Sequence, residues 1–225
     1  MNQDISKLNA AKEAIKLIDN GMLVGLGTGS TAKIAVDLIG GKLSDEFQIV
    51  GMPTSKKTEL QAKELGIKLI GIDDADTIDI AIDGADEVAP DLSLIKGLGG
   101  ALLREKKVEK KAKKLIIIVD ETKIVDKLGV GFLPVEVTIE NHKETMEKLA
   151  NLGCAAELRI ESNLKAFVTD NGNYIYHCKF EKGINNPEKL DRKLMQIDGV
   201  VDTGLFINMT TKVIVGTPNG TKIID

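Results

Sequence analysis

A group of acidic residues and one lysine follows a short predicted strand near the middle of the chain. Isoleucines alternate with small or polar residues from 78 to 82, which predicts a strand that ends at Asp83. Asp86, Lys96 and Glu105 follow it, and ligands of open α/β sheets bind where strands end. A carboxylate there could take a proton from a carbon next to a carbonyl, while the lysine and backbone amides stabilise the resulting enediolate oxygen. These residue types indicate proton transfer without a metal.

These four side chains also fit other roles. Asp83 and Asp86 could bind Mg²⁺ as paired carboxylates, or they could cap helices and stabilise turns. Neither histidine lies near them in the sequence and no calcium-loop pattern follows them, which weakens the metal interpretation. Lys96 could be a solvated surface lysine, although the glycines beside it indicate a tight loop. Glu105, within an Arg-Glu-Lys triplet, could be an ordinary exposed helix residue.

A glycine-rich loop near the N-terminus has the composition of an anion-binding site. Residues 22–26 predict a short strand, and a helical pattern begins at Ala32. Between them stands Gly-Thr-Gly-Ser-Thr at 27–31, whose backbone N–H groups and hydroxyls at a helix N-terminus could hold a phosphate. The loop also fits the dinucleotide pattern G-x-G-x-x-A, but no acidic residue ends the next predicted strand at 48–51. The Thr-Ser-Lys-Lys segment at 54–57 could suit the 2′-phosphate of NADP, so a dinucleotide site and an ordinary turn both stay open.

The elements that must position these residues alternate between strands and helices as far as residue 123. This alternation, with the wholly apolar run Leu115–Val119, predicts an α/β fold with a doubly wound, mainly parallel, Rossmann-like sheet. From Leu128 the pattern changes, and Asp170-Asn-Gly-Asn173 is a strong turn signal. Strands are predicted there at 135–140, 155–160, 164–169, 174–180 and 200–206, with helices at 143–152 and 187–197.

This second pattern is close to a β-α-β-β-α-β unit, which indicates a smaller, ferredoxin-like α+β domain inserted in the main chain. We therefore expect a catalytic α/β domain of residues 1–129 and 207–225 and a small domain of residues 130–206.

Composition argues against several classes of partner. The 225 residues carry a net charge of -4, include no tryptophan and are 3% aromatic, so neither a broad basic surface nor a base-stacking platform for nucleic acid is expected. The longest aliphatic run is too short to span a membrane, and the N-terminus has no apolar signal core. Cys154 and Cys178 match no metal or redox spacing and are expected to be buried, reduced thiols. We therefore expect a soluble, cytoplasmic protein without a membrane or nucleic-acid partner.

Eight short motifs occur along the chain. They are Gly-Thr-Gly-Ser-Thr at 27–31, Asp-Gly-Ala-Asp-Glu at 83–87, Lys-Gly-x-Gly-Gly at 96–100, Arg-Glu-Lys at 104–106, Pro-Val-Glu-Val at 134–137, Thr-Asp-Asn-Gly-Asn at 169–173, Gly-Leu-Phe at 204–206 and Gly-Thr-Pro at 216–218. In this order, and over nearly the whole chain, they resemble ribose-5-phosphate isomerase of the A type. The resemblance implies reversible interconversion of ribose 5-phosphate and ribulose 5-phosphate in the pentose phosphate pathway. It also implies a homo-oligomer, dimer or tetramer, with no metal or organic cofactor.

The resemblance further implies roles for individual residues. Glu105 would be the general base that moves the proton between C1 and C2, with Lys96 near the reacting oxygens. Asp83 and Asp86 would assist ring opening and proton transfer between hydroxyls. The substrate-binding residues implied are Thr28, Gly29, Ser30, Thr31, Asp83, Gly84, Ala85, Asp86, Lys96, Gly97, Leu98, Gly99, Lys123 and Lys7. Leu98 replaces a glycine common in the family, which affects only side-chain packing unless that glycine needs a positive φ.

Two other functional classes deserve comparison. A sugar-phosphate-sensing module of similar fold would bind without turnover, but such regulators carry a DNA-binding segment, and no helix-turn-helix or basic region precedes the sheet here. An NADP-dependent reductase would use the glycine loop for pyrophosphate, and the acidic stretch 83–87 would then have no clear role.

Overall fold

The structure, a computed structural model, describes residues 2–225. The helices are α1 (Asn2–Ala14), α2 (Ser30–Lys42), α3 (Lys56–Glu64), α4 (Leu102–Glu109), α5 (His142–Ala150) and α6 (Pro187–Leu194). The strands are β1 (Leu23–Leu26), β2 (Val50–Pro53), β3 (Lys68–Leu69), β4 (Ile80–Asp83), β5 (Glu87–Val88), β6 (Leu94–Ile95), β7 (Leu115–Asp120), β8 (Leu133–Val137), β9 (Ala155–Leu158), β10 (Tyr174–Lys179), β11 (Val200–Thr203), β12 (Leu205–Phe206), β13 (Lys212–Thr217) and β14 (Gly220–Ile224). Short 3-10 turns occupy Ile15–Leu17, Ile72–Asp74 and Glu121–Lys123.

The chain folds into two compact units. The first comprises the residues up to Ala85, Arg104–Ile124 and Met209–Asp225, and the second comprises Asp86–Leu103 and Val125–Asn208. Residues 86–103, which the sequence-based division assigns to the larger domain, thus cluster with the second unit. The division into domains at 129/130 and 206/207 stays a prediction.

A mainly parallel sheet forms the centre of the first unit. Its strand order is β14-β13-β7-β4-β1-β2-β3. β1 pairs in parallel with β2 and β4, and β7 pairs in parallel with β4 and β13, whereas β13 and β14 are antiparallel. After β1 the chain continues to β2 on one side, and it later returns to β4 on the other side. The loops that follow β1 and β4 therefore lie at a topological switch point, where ligands of such sheets bind.

Apolar side chains cover both faces of this sheet. Every residue of β7 is buried, as expected for a parallel strand with helices on either face. The helix α1 packs closely on β13. This approach requires a glycine at 216, since a Cβ there would lie 1.8 Å from the carbonyl oxygen of Ser6. Residues from both ends of the chain thus contribute to one core. The parallel sheet and its covering helices confirm the predicted α/β class with a mainly parallel sheet.

The second unit contains two small antiparallel sheets. Its larger sheet has the order β11-β8-β10-β9, with every neighbouring pair antiparallel. Together with α5 and α6 these strands follow the predicted order β-α-β-β-α-β, and α6 begins at Pro187 as expected. The smaller sheet has the order β12-β6-β5.

One predicted strand, Leu164–Thr169, is wrong. An isolated bridge between Ile160 and Ala166 replaces it, and Leu164 has a positive φ of 63°. Leu164 is 82% exposed, so its side chain does not contribute to a buried face. The apolar pattern of this segment therefore does not stabilise a strand. The turn at 169–173 is present, but β10 pairs with β9 instead.

Within residues 2–225, none of the helices combines the length and apolar character that crossing a bilayer requires. Cys154 and Cys178 are both buried free thiols, as expected.

Candidate active site

Four polar segments meet at one edge of the parallel sheet in the first unit. Residues 27–31 follow β1, Thr54 and Ser55 follow β2, Asp83–Ala85 end β4, and Glu121–Lys123 follow β7. Because these strands are mutually parallel, their carboxyl ends share an edge. The fold therefore brings together the first glycine loop, the first catalytic candidate and Lys123.

Asp83 contacts the glycine loop directly. Its side chain is 1% exposed, and its Oδ1 accepts hydrogen bonds from the backbone N–H groups of Thr28 at 2.9 Å and Gly84 at 2.6 Å. The N–H of Gly27 donates to the carbonyl of Ile82 at 3.0 Å. A Cβ on Gly27 would lie 2.3 Å from Asp83 Oδ1, so only glycine fits this close approach. Asp83 and the loop thus form one hydrogen-bonded structure.

Hydroxyl groups hold the Thr28 side chain. Its Oγ1 lies 2.7 Å from Thr54 Oγ1, 2.9 Å from Ser55 Oγ and 3.1 Å from Thr58 Oγ1. Thr58 Oγ1 also donates to the carbonyl of Gly27 at 2.9 Å, and Ser55 Oγ caps α3 by accepting from Thr58 N–H. Because Thr54 and Ser55 are buried and bonded within the protein, their hydroxyls do not form a surface for a 2′-phosphate.

The outer side of the same loop forms a cationic recess. A cavity of about 240 Å³ is lined by Thr28, Gly29, Ser30, Lys33, Lys57, Thr58 and Gln61. Gly29 adopts φ 117° immediately before α2, so Ser30 and Thr31 occupy the first turn of that helix. Backbone N–H groups of a helix N-terminus together with two lysines suit an anion such as phosphate.

The two remaining lysine candidates of the first unit are both half-buried. Lys7 lies on α1, and Lys123 lies in the turn that follows β7. Asp120 anchors this turn, because it accepts hydrogen bonds from the backbone and side chain of Thr122 and from Gln3. Burial alone would raise the pKa of Asp120, but these hydrogen bonds outweigh it and lower the pKa.

Glu105 lies in the first turns of α4 and is 3% exposed. The interpretation of Glu105 as an ordinary exposed helix residue is therefore wrong. Lys106 and Glu109 of the same helix are also buried, so α4 is charged yet largely enclosed. Burying a charged side chain costs free energy, so buried charged side chains occur at functional sites more often than exposed ones do.

Lys96 belongs to the second unit and is 2% exposed, so it is not a solvated surface lysine. Its Nζ lies 5.4 Å from the centroid of the Phe206 ring, and its backbone N–H donates to the carbonyl of Gly204 at 2.9 Å. The motifs at 96–100 and 204–206 therefore meet in the fold.

The second glycine loop, residues 97–100, is joined to Asp86. The N–H of Leu98 donates to Asp86 Oδ2 at 3.0 Å, and the N–H of Asp86 donates to the carbonyl of Ile95 at 2.8 Å. Gly97 and Gly100 have φ angles of 95° and 96°, whereas the φ of Leu98 is not positive. The leucine that departs from the family pattern thus stands at a position that needs no glycine.

Glu87 has a structural role that its neighbours do not share. Its buried carboxylate accepts hydrogen bonds from the backbone N–H groups of Gly129 at 2.6 Å, Val130 at 3.3 Å and Gly131. It thereby holds the segment between β7 and β8.

A buried carboxylate that the sequence interpretation left out is Glu136, in the central strand β8. Its Oε1 accepts from Thr169 at 2.9 Å, from Asn173 at 2.9 Å and from Asn171 at 3.5 Å. The Pro-Val-Glu-Val and Thr-Asp-Asn-Gly-Asn motifs therefore form one hydrogen-bonded cluster. An acidic residue inside a strand of otherwise apolar residues was the sequence signal for it.

Among residues 2–225, no group of three or more histidine, cysteine, aspartate or glutamate side chains is arranged to hold a metal ion.

A family model described as ribose 5-phosphate isomerase A (phosphoriboisomerase A) matches residues 50–220. The chain belongs to the ribose 5-phosphate isomerase A family. This membership confirms the resemblance inferred from the motifs.

Relatives in this family align along nearly the whole chain. Ribose-5-phosphate isomerase A of Bacillus mycoides is 47% identical over 213 residues, which cover 95% of this chain and 96% of the relative. A probable ribose-5-phosphate isomerase 2 of Arabidopsis thaliana is 47% identical over 234 residues, covering 99% of this chain and 87% of the relative.

Solved structures of the family have the same fold. A D-ribose-5-phosphate isomerase in complex with phospho-erythronic acid is 43% identical, with a TM-score of 0.94 and full coverage of both chains. Ribose 5-phosphate isomerase A from Methanocaldococcus jannaschii is 38% identical, with a TM-score of 0.93 and coverage of 99% of this chain and 98% of that one. The roles of individual residues stay predictions.

Proposed function

We propose that this protein interconverts D-ribose 5-phosphate and D-ribulose 5-phosphate through an enediolate, as a step of the non-oxidative pentose phosphate pathway. Membership of the ribose 5-phosphate isomerase A family, with a relative that aligns over 95% of this chain, carries the proposal. Buried carboxylates and a buried lysine at the motif positions agree with it.

In this proposal Glu105 is the general base. Its carboxylate removes the proton from C2 of the open-chain aldose and returns it to C1, which converts the aldehyde into the ketose by way of the enediolate. The burial of Glu105 favours this role, because a base shielded from water keeps the abstracted proton for return to the substrate.

Lys96 and the backbone amides of Gly97 and Gly99 would stabilise the oxygen that gains negative charge in the enediolate. A buried ammonium is worth far more to such a charge than one in water, since screening by solvent is weak there. Asp83 and Asp86 would assist ring opening and proton transfer between hydroxyls. Their hydrogen bonds to the two glycine loops already restrict their orientation.

The glycine loop at 28–31 and the lysines Lys7 and Lys123 complete the proposed substrate site, with Gly84 and Ala85 lining it beside Asp83. Helix N-terminal N–H groups and ammonium groups both suit the phosphate of the substrate. No metal or organic cofactor enters the proposed reaction.

Conversion of ribose 5-phosphate to the ketose in excess EDTA, with no nucleotide added, tests this function. Turnover would support it. If the substrate raises the melting temperature without any turnover, the protein is a sugar-phosphate sensor instead. If there is neither turnover nor a thermal shift, the proposed substrate is wrong and NADP binding becomes the next measurement.

A cytoplasmic location and a homodimeric or tetrameric assembly also belong to this proposal. Light scattering coupled to gel filtration measures the assembly, and a monomeric mass at micromolar concentration would contradict it.

A further inference from the structure

Arg159 contacts the second glycine loop, although it belongs to none of the motifs in the chain. It lies just beyond β9, and its Nη1 donates a hydrogen bond to the carbonyl of Leu98 at 2.9 Å. The chain has three arginines, and this is the one whose guanidinium bonds to the backbone of this loop.

The guanidinium is held in place by an aromatic ring. Its Cζ lies 3.8 Å from the centroid of the Phe167 ring, which is the geometry of a cation–π contact. The backbones of the two residues are also joined, because Phe167 N–H donates to the Arg159 carbonyl at 2.9 Å. A planar guanidinium that stacks on a ring and donates to a carbonyl has few alternative orientations.

The Arg159–Phe167 pair lies directly against the loop. A Cβ on Gly100 would lie 2.4 Å from Phe167 and 3.0 Å from Arg159 Nη1. Glycine is thus required at residue 100 both for its positive φ and for this close contact. The pair therefore contacts the loop at Leu98 and at Gly100.

Asp86 supports the same residue through its other backbone group. The N–H of Leu98 donates to Asp86 Oδ2, while the carbonyl of Leu98 accepts from Arg159. The Leu98 carbonyl belongs to the peptide plane that carries the Gly99 N–H, since a peptide unit is planar. A Cβ on Gly99 would meet nothing within 4 Å, so the loop is open at this residue.

Arg159 is partly buried, but an arginine guanidinium stays charged in proteins. Desolvation lowers the pKa of Arg159, and Glu161 partly offsets that. Burial lowers the pKa of His177, and Arg159 lowers it further, whereas Glu157 and Asp86 raise it. A positive charge thus stands close to the residues that carry the loop.

We propose that Arg159 is a positioning residue for the isomerisation: it fixes the Leu98–Gly99 peptide so that the loop presents its open backbone to the substrate in one orientation. This inference rests on the proposed function for the role of the loop. Arg159 acts through Leu98 and is not itself a proton donor or acceptor in the reaction.

Kinetics of two variants test the proposal. Arg159→Met keeps the length and apolar contact of the side chain but removes the donor, and Arg159→Lys keeps a charged donor without the planar fork. We expect Arg159→Met to lower kcat by about 10- to 100-fold per folded molecule, because small misplacements of contacting groups have effects of that size. Arg159→Lys should recover part of this loss. Arg192→Met, at an exposed arginine of α6, is the matched control and should leave kcat unchanged.

A purely structural Arg159 would behave differently. Its loss would lower the melting temperature or the folded fraction while kcat per folded molecule stayed within twofold of the parent, and that result would overturn the proposal.

Hydrogen exchange supplies a readout that does not depend on turnover. In Arg159→Met the amides of Leu98 and Gly100 should exchange about tenfold faster or more, because the loop loses one of its two supports. Unchanged exchange would overturn the positioning role whether or not the parent is active. The parent protein could also prove unable to turn over ribose 5-phosphate or to bind phospho-erythronic acid. Faster exchange in Arg159→Met would then still support the positioning of the loop, and only the proposed function would be rejected.

Discussion

Burial and hydrogen bonding divide the acidic residues near the middle of the chain into different chemical types. The carboxylate of Glu87 accepts hydrogen bonds from three consecutive backbone amides, so its role is structural. Asp83 and Asp86 each bond to a glycine loop, and Glu105 is enclosed in α4. Neighbouring carboxylates thus have different surroundings, so their expected effects on turnover also differ.

Replacing the proposed base should separate catalysis from folding. We expect Glu105→Gln to fold and to bind ribose 5-phosphate, but to lose about 100- to 10,000-fold in kcat, the usual contribution of a positioned general base. Steady-state kinetics and calorimetry, both with ribose 5-phosphate, measure the two effects. Glu147→Gln, at an exposed residue of α5, is the control. Activity within tenfold of the parent would remove Glu105 from the role of base.

Glu136 should make stability depend on pH. Burial raises its pKa, hydrogen bonds from Asn173, Thr169 and Asn171 offset part of that rise, and Asp202 raises it again. The folded state therefore holds the proton more tightly than the unfolded chain. The stability gained from protonation is complete below the unfolded pKa of about 4.3 and is lost as pH rises through the folded value.

We accordingly expect Glu136→Gln to gain in melting temperature relative to the parent as pH rises from 4 to 7, since an amide carries no charge to bury. Thermal melts at several pH values measure this difference. Glu157→Gln, at an exposed residue of β9 in the same sheet, should show a much smaller change. If the difference in melting temperature between Glu136→Gln and the parent did not vary with pH, the raised pKa of Glu136 in the folded state would be contradicted.

At the scale of elements, the β1–α2 connection depends on backbone contact rather than on side chains. Gly27 lies so close to β4 that a methyl group there would collide with Asp83 and with the carbonyl of Ile82. Two parallel strands and one loop are thus joined at the switch point of the sheet. A movement of the loop away from β4 would break its hydrogen bonds to Ile82 and Asp83.

Adding one methyl group should test this dependence. Gly27→Ala should displace Asp83 or the loop, and we expect a loss of about 100-fold in kcat/KM together with destabilisation, because misplaced groups near a reacting substrate have effects of that order. Gly41→Ala in α2 is the matched control, since a Cβ there meets nothing within 4 Å. It should be neutral or stabilising by up to about 1 kcal/mol. Full activity in Gly27→Ala would mean that the contact is not required.

At the scale of the whole molecule, each compact unit has a core of its own. Ile214 belongs to the buried cluster of the first unit and Val135 to that of the second. Each cluster gathers residues that are far apart in sequence, so each unit depends on long-range contacts.

Substitutions that remove apolar side-chain volume from one core at a time test whether the two units unfold separately. Ile214→Ala should lower the free energy of unfolding by about 2–5 kcal/mol, the usual cost of such a cavity, and should speed hydrogen exchange mainly in the first unit. Val135→Ala should speed exchange mainly in the second. Leu60→Ala, at a residue that is 63% exposed, should change stability by less than about 0.5 kcal/mol. Equal acceleration in both units by either variant would show that they unfold as one.

Local pattern was sufficient for much of this protein. Alternating isoleucines, apolar runs and glycine loops predicted the α/β class, the parallel sheet, the β-α-β-β-α-β order and the helix beginning at Pro187, because these depend on residues close together in the chain. Leu164–Thr169 shows where local pattern stops: its apolar residues matched a strand, but strand formation requires a partner and a buried face, which neighbours in sequence do not specify.

The candidate residues were likewise found in the sequence, because glycines, carboxylates and lysine at fixed spacing form recognisable motifs. Their surroundings were decided only by tertiary structure. Burial of Glu105 and Lys96, the approach of Gly27 to Asp83, and the meeting of Arg159 with Leu98 all join segments that are distant in the chain. Pattern within one segment cannot encode such contacts, since they arise from the packing of one element against another.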